Sequence, residues 1–169
     1  MVFGMSLATY TLIHVVISLI GIGSGLLVMF GLLSGKRLGA MTSIFLITTV
    51  LTSLTGFGFP FTHLLPSHIL AILSLLDLAI AIPALYVFHL SGAWRKTYVI
   101  TSSIALYFNC FVLVVQGFEK VPALHALAPT QKEPPFAIAQ LALMVVFIVL
   151  GTFAVKRFGS SASARAIAA

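Results

Sequence analysis

Asp77 stands alone as an acid inside the apolar run from Ile69 to Leu90, which is long enough to cross a bilayer. A carboxylate is costly in hydrocarbon, so it must face protein or trapped water and find polar partners on other helices. Counting depth along a helix places Asp77 and Asn109 level, roughly 13 Å below the same interface. Ser18 and either Thr49 or Thr52 reach a similar depth. These positions predict an intramembrane polar site built from Asp77, Asn109, Ser18 and Thr52, able to hold a small solute or pass a proton. The structural alternative is a hydrogen-bond network in which Asp77 is neutral.

Histidine offers a second chemistry. His14, His63, His68 and His125 fall at or near one side of the membrane, and His89 falls near the other. A neutral imidazole ligates haem iron or copper, and a membrane haem commonly takes one nitrogen from each of two facing helices. His14 and His68 form the plausible pair for a haem b, with small residues on the His14 face leaving room for a flat macrocycle. His63, His68 and His125 are the candidates for a bound metal ion. His68 and Asp77 are nine residues apart and so point to opposite faces of one helix, which separates the two candidate sites.

The closely spaced glycines at Gly21-Ile22-Gly23-Ser24-Gly25 follow no strand and lie within an apolar helix, which excludes a dinucleotide fingerprint. Gly21 and Gly25 instead form a GxxxG pair on the face of His14 and Ser18, the pattern of close helix packing. Pro83 removes a backbone donor late in its span and predicts a bend. Glu119 and Glu133 read as solvated loop charges. No Ser/His/Asp set, Walker loop, HExxH or pair of catalytic carboxylates can be assembled, so nothing points to an enzyme.

The elements that must position these residues follow from composition. Of 169 residues, 60% are hydrophobic and 7% charged, and the mean hydropathy is +1.18, too apolar for a soluble domain. The formal charge of +6 falls in small clusters at helix ends and never forms a continuous basic face, which argues against nucleic acid as a partner. Cys110 is the single cysteine, so no internal disulfide or thiolate cluster is available.

The predicted fold is all-α: a polytopic transmembrane helical bundle with five spans in one domain, residues 1–157. The spans cover about residues 7–33, 40–59, 68–90, 97–118 and 136–155. Residues 119–135 are the longest loop, and residues 158–169 are expected to form a disordered tail. The first ten residues carry no Lys or Arg, and the run after them is too long for a signal-peptide core, so it is kept as a span. Five spans place Lys36, Arg37, Arg95, Lys96, Lys156, Arg157 and Arg165 on one side and only Lys120 and Lys132 on the other. The positive-inside rule then puts the N-terminus outside and the C-terminus in the cytoplasm, with Trp94 and Tyr98 as interfacial anchors. Spans one and two share local patterns with spans three and four, such as Leu33-Ser34-Gly35 with Leu90-Ser91-Gly92, as a parallel internal repeat would.

His14, the Gly35-Lys36-Arg37 turn and Thr55-Gly56-Phe57 together resemble small bacterial inner-membrane families of uncharacterised function, over roughly the first third of the chain. That resemblance implies the inner membrane and brings no established activity with it. Five spans in a short chain are also similar to the tryptophan-rich sensory proteins that bind tetrapyrroles. This chain has only Trp94 and lacks their aromatic pattern, so that function is not carried over. Three roles are therefore expected: a solute or proton handler using Asp77 and Asn109, a haem-associated redox protein using His14 and His68, or an accessory subunit. In the last, the glycine face of span one would bind a membrane-protein partner or a second copy of the chain within the lipid bilayer.

Overall fold

The computed structural model describes residues 2, 4–60 and 66–167, with side chains described as far as Gly159. Among the described residues six helices follow one another: α1 (Leu7–Leu33), α2 (Gly39–Gly56), α3 (Pro66–Tyr86), α4 (Trp94–Lys120), the short α5 (Pro122–Leu127) and α6 (Pro134–Ile167). All but α5 are long and apolar enough to cross a membrane. The protein is thus an all-helical, polytopic membrane protein with five spans.

Local chemistry sets most of the helix ends. Ser6 caps α1 by accepting a hydrogen bond from the Thr9 backbone N–H. α3, α5 and α6 open on Pro66, Pro122 and Pro134, where a missing N–H costs nothing because the first turn leaves its donors unpaired. α1 stops at Gly35 in a left-handed conformation, φ 65°. The Gly35 and Lys36 N–H groups return to the Leu32 and Gly31 carbonyls, which closes a Schellman cap.

α3 ends at Tyr86, four residues before the sequence-based boundary at Leu90. Beyond it His89 and Leu90 both adopt left-handed backbone, φ 46° and 58°. The Leu90 N–H reaches back to the Ala84 carbonyl, and Phe88 stacks flat on Trp94 with ring centroids 3.9 Å apart. The expected loop 119–135 contains α5, started by Pro122. α6 continues to Ile167, past the point at Phe158 where a disordered tail was expected to begin.

Packing closes α1, α2, α3, α4 and α6 into a ring in chain order, with α1 also touching α4 across it. α4 meets α1, α3, α5 and α6, and its buried face carries Tyr98, Ala105, Leu106 and Asn109. α6 is the outlier: 11% of its most apolar stretch is buried, against 28–44% in the other spans. Most of its surface is therefore left uncovered by the rest of the bundle.

Candidate functional site

Hydroxyl groups dominate the polar inventory of the spans, and most of them are satisfied within their own helix. Ser18, Ser24, Thr48, Thr55, Thr101, Ser103 and Thr152 each donate to the carbonyl four residues earlier, at 2.7–2.9 Å. A stripe of Ser and Thr on a transmembrane helix therefore does not by itself mark a wet pocket. What matters is the smaller set of bonds that cross between helices.

The central cross-link joins α2 to α4: Asn109 Nδ2 donates to Thr49 Oγ1 at 3.0 Å, with Thr49 fully buried. Gly21 of α1 lies against this pair. A Cβ built there would sit 3.1 Å from Thr48 Oγ1, 3.6 Å from Thr49 Oγ1 and 3.7 Å from Asn109 Nδ2. One turn along, a Cβ on Gly25 would meet Leu106 at 2.6 Å and Phe45 at 2.8 Å. Both glycines thus sit where α1 approaches α2 and α4 within this chain.

A second link ties α2 to α3, where Ser53 Oγ and Ser74 Oγ lie 3.1 Å apart, both buried. Ser53 Oγ is also 3.0 Å from the Thr49 carbonyl. Ser74, Ser53, Thr49 and Asn109 therefore form one polar seam through α3, α2 and α4. Asp77 follows Ser74 by three residues on α3, a neighbouring position one turn on. Its Oδ2 is enclosed and accepts no hydrogen bond, and the enclosed Thr52 Oγ1 likewise has no hydrogen-bond partner. The four expected residues are thus not joined to one another. Asn109 pairs with Thr49, Ser18 turns back to the His14 carbonyl, and Asp77 and Thr52 each keep an unpartnered oxygen.

The histidines sit elsewhere. Tyr10 OH donates to the Thr55 carbonyl at 2.7 Å, and His14 Nδ1 lies 2.8 Å from Thr55 Oγ1. The Thr55 hydroxyl already donates to Leu51, so His14 donates from Nδ1 and its lone pair is on Nε2. Tyr10 and His14 both pack edge-on against Phe59, with ring centroids 5.1 and 5.2 Å away. Aromatic rings thus occupy the neighbourhood where the sequence alone suggested room for a macrocycle.

His68 is buried and stacks on Phe57 at 5.5 Å. It lies on α3, with α2 packed against both α1 and α3. His125 sits on α5 with Nδ1 3.3 Å from the Phe118 carbonyl. His63 is outside the described residues. Among those described, no group of three His, Cys, Asp or Glu side chains gathers as a metal site would require.

Two residues carry roles that differ from the sequence-based expectation. Tyr98 is not an interfacial anchor: it is fully buried, because α4 starts at Trp94 and its second turn already faces the core. Trp94, at the start of α4, stacks on Phe88. Glu133 is more than a solvated charge, since its carboxylate accepts from Thr130 Oγ1 and from the Thr130 and Lys132 backbone N–H groups at 2.8–3.2 Å. Desolvation opposes its ionisation, but these hydrogen bonds outweigh it and hold Glu133 below the ordinary carboxylate range.

Thr49 and Ser53 could have been found by spacing. With Thr42 they recur at intervals of seven and four residues, one face of a helix, whereas the more conspicuous Thr48, Thr52 and Thr55 lie on another.

No family model, no curated protein and no solved structure matches this chain. What the site can do must therefore be argued from its own side chains.

Proposed function

We propose that this protein handles a proton or a small cationic solute within the membrane, with Asp77 as the exchanging group. The observation that supports the reading is the enclosed, unpartnered Oδ2 of Asp77 beside a seam of satisfied polar groups. A carboxyl whose only task was to tie helices together would be expected to hold a donor from a neighbour, as Asn109 holds Thr49. A membrane carboxyl that keeps an oxygen without a partner costs stability, and that is the usual mark of a proton or ion pathway.

Asn109, Thr49, Ser53 and Ser74 act here as the rigid frame that fixes α2, α3 and α4 around it. The basic clusters Lys36-Arg37, Arg95-Lys96 and Lys156-Arg157 assign that end of the bundle to the cytoplasm in this reading, and the bacterial inner membrane is the setting that fits it.

The test is proton flux in proteoliposomes under an imposed pH gradient, read with an entrapped pH-sensitive dye. The wild type should collapse the gradient faster than protein-free vesicles, or do so when a small amine is supplied. Asp77→Asn should abolish the difference while keeping the helical content and melting temperature of the wild type. Equal flux in Asp77→Asn, or no flux of either kind in the wild type, overturns the proposal.

A further inference from the structure

A groove of about 580 Å³ runs between α4 and α6, well away from Asp77. Its walls are hydrocarbon and aromatic: Ile100, Ile104, Met144, Phe147 and Ile148 among them. Its floor is low where Gly151 faces Ser103, the position of a Cβ on the glycine lying 3.6 Å from the Ser103 side chain. Of the hydroxyl-bearing residues that line it, Ser103 and Thr152 are turned inward, Ser103 to the Val99 carbonyl and Thr152 to the Ile148 carbonyl, both at 2.7 Å, and Tyr107 adds an aromatic wall. The floor therefore suits a hydrocarbon chain better than a polar solute.

Charge gives the groove a direction. Lys156 lines its basic end. Lys96, exposed at the start of α4, precedes Ile100, Ser103 and Tyr107 by four, seven and eleven residues, which puts it on the same helical face at that end. The acids of the chain lie elsewhere, Asp77 within α3 and Glu119 and Glu133 toward the far end of the bundle.

We propose that this groove binds one anionic phospholipid, an acyl chain lying between α4 and α6 and the phosphate held at the basic end by Lys96 and Lys156. Basic positions at the mouth of an interhelical cleft attract anionic headgroups, while in a zwitterionic lipid the positive choline group offsets most of the attraction of the same phosphate. The inference stands independently of any role for Asp77.

Native mass spectrometry of the full chain in mild detergent, titrated separately with dioleoyl phosphatidylglycerol and dioleoyl phosphatidylcholine, tests it. One phosphatidylglycerol per chain should survive activation that strips phosphatidylcholine. Lys96→Gln with Lys156→Gln should weaken that retention roughly 30-fold. Lys36→Gln with Arg37→Gln, which removes the same charge from the same end but off the groove, should leave it unchanged. Thr152→Trp, which fills the groove, should weaken both lipids. Equal retention of the two lipids by the wild type, or equal loss in the two double variants, overturns the proposal. Melting temperatures of all variants separate lost binding from lost folding.

Discussion

Asn109 and Thr49 show what a single polar contact does in this bundle. Each is buried, and their hydrogen bond crosses from α4 to α2. Removing either side leaves the other group buried without its partner, so Asn109→Ala and Thr49→Val should each lower stability by about 0.6–1.7 kcal/mol. The double variant should lose little more than either single one, and additive losses in a double-mutant cycle measured by detergent unfolding would argue against the contact.

Glu133 provides a pH-dependent counterpart outside the spans. Its folded pKa is held down, so the turn it organises contributes fully above the ordinary carboxylate pKa, about 4.3. That contribution is lost as pH falls through its lower folded value. Melting temperatures of the wild type and Glu133→Gln should therefore differ at neutral pH and converge in acid.

At this scale the sequence is only partly legible. Asp77 is conspicuous as a lone acid and Asn109 as a deep amide. Which threonine Asn109 meets depends on a rotation of α2 by one residue, and hydroxyls that bond to their own helix give no signal of facing.

Helices are the most legible elements. Long apolar runs ended by Gly-basic turns or prolines mark all five spans within a few residues, because twenty apolar residues have few other uses. The end of α3 is missed because His89 and Leu90 adopt left-handed backbone without a glycine to announce it. α5 is missed because six residues after Pro122 carry no usable period.

The glycines of α1 allow a test of packing at this scale. Gly25 faces Phe45 and Leu106, which are almost entirely buried and have nowhere to retreat, while nothing lies within 4 Å of a Cβ on Gly23. Gly25→Ala should cost about 1–3 kcal/mol by overpacking. Gly23→Ala should be neutral or gain up to about 1 kcal/mol from helix propensity. Thermal unfolding of the two variants in the same detergent decides it, and equal effects would contradict the packing of α1 on α2 and α4.

For the molecule as a whole, the ring of five spans buries four of its helices more fully than the fifth. α1, α2, α3 and α4 share the buried polar seam and the glycine contacts, while α6 rests on α4 and α1 with most of its surface uncovered by the bundle. Asp77 belongs to α3, whose neighbours in the ring are α2 and α4, so its unpartnered Oδ2 lies on the part of the bundle that carries the polar seam and not on α6. The sequence alone does not mark α6 as the less buried span, because a hydroxyl that bonds to its own helix serves equally on a face toward protein or toward lipid.

The central claim, that Asp77 is the group through which this protein works, is tested most directly by modifying it in place. Proteoliposomes treated with a membrane-permeant carbodiimide would be assayed in parallel for proton flux and, by peptide mass mapping, for adduct at Asp77. Flux is expected to fall in step with labelling of Asp77, and Asp77→Asn is expected to show neither adduct there nor flux. Complete labelling of Asp77 with flux undiminished would contradict the account.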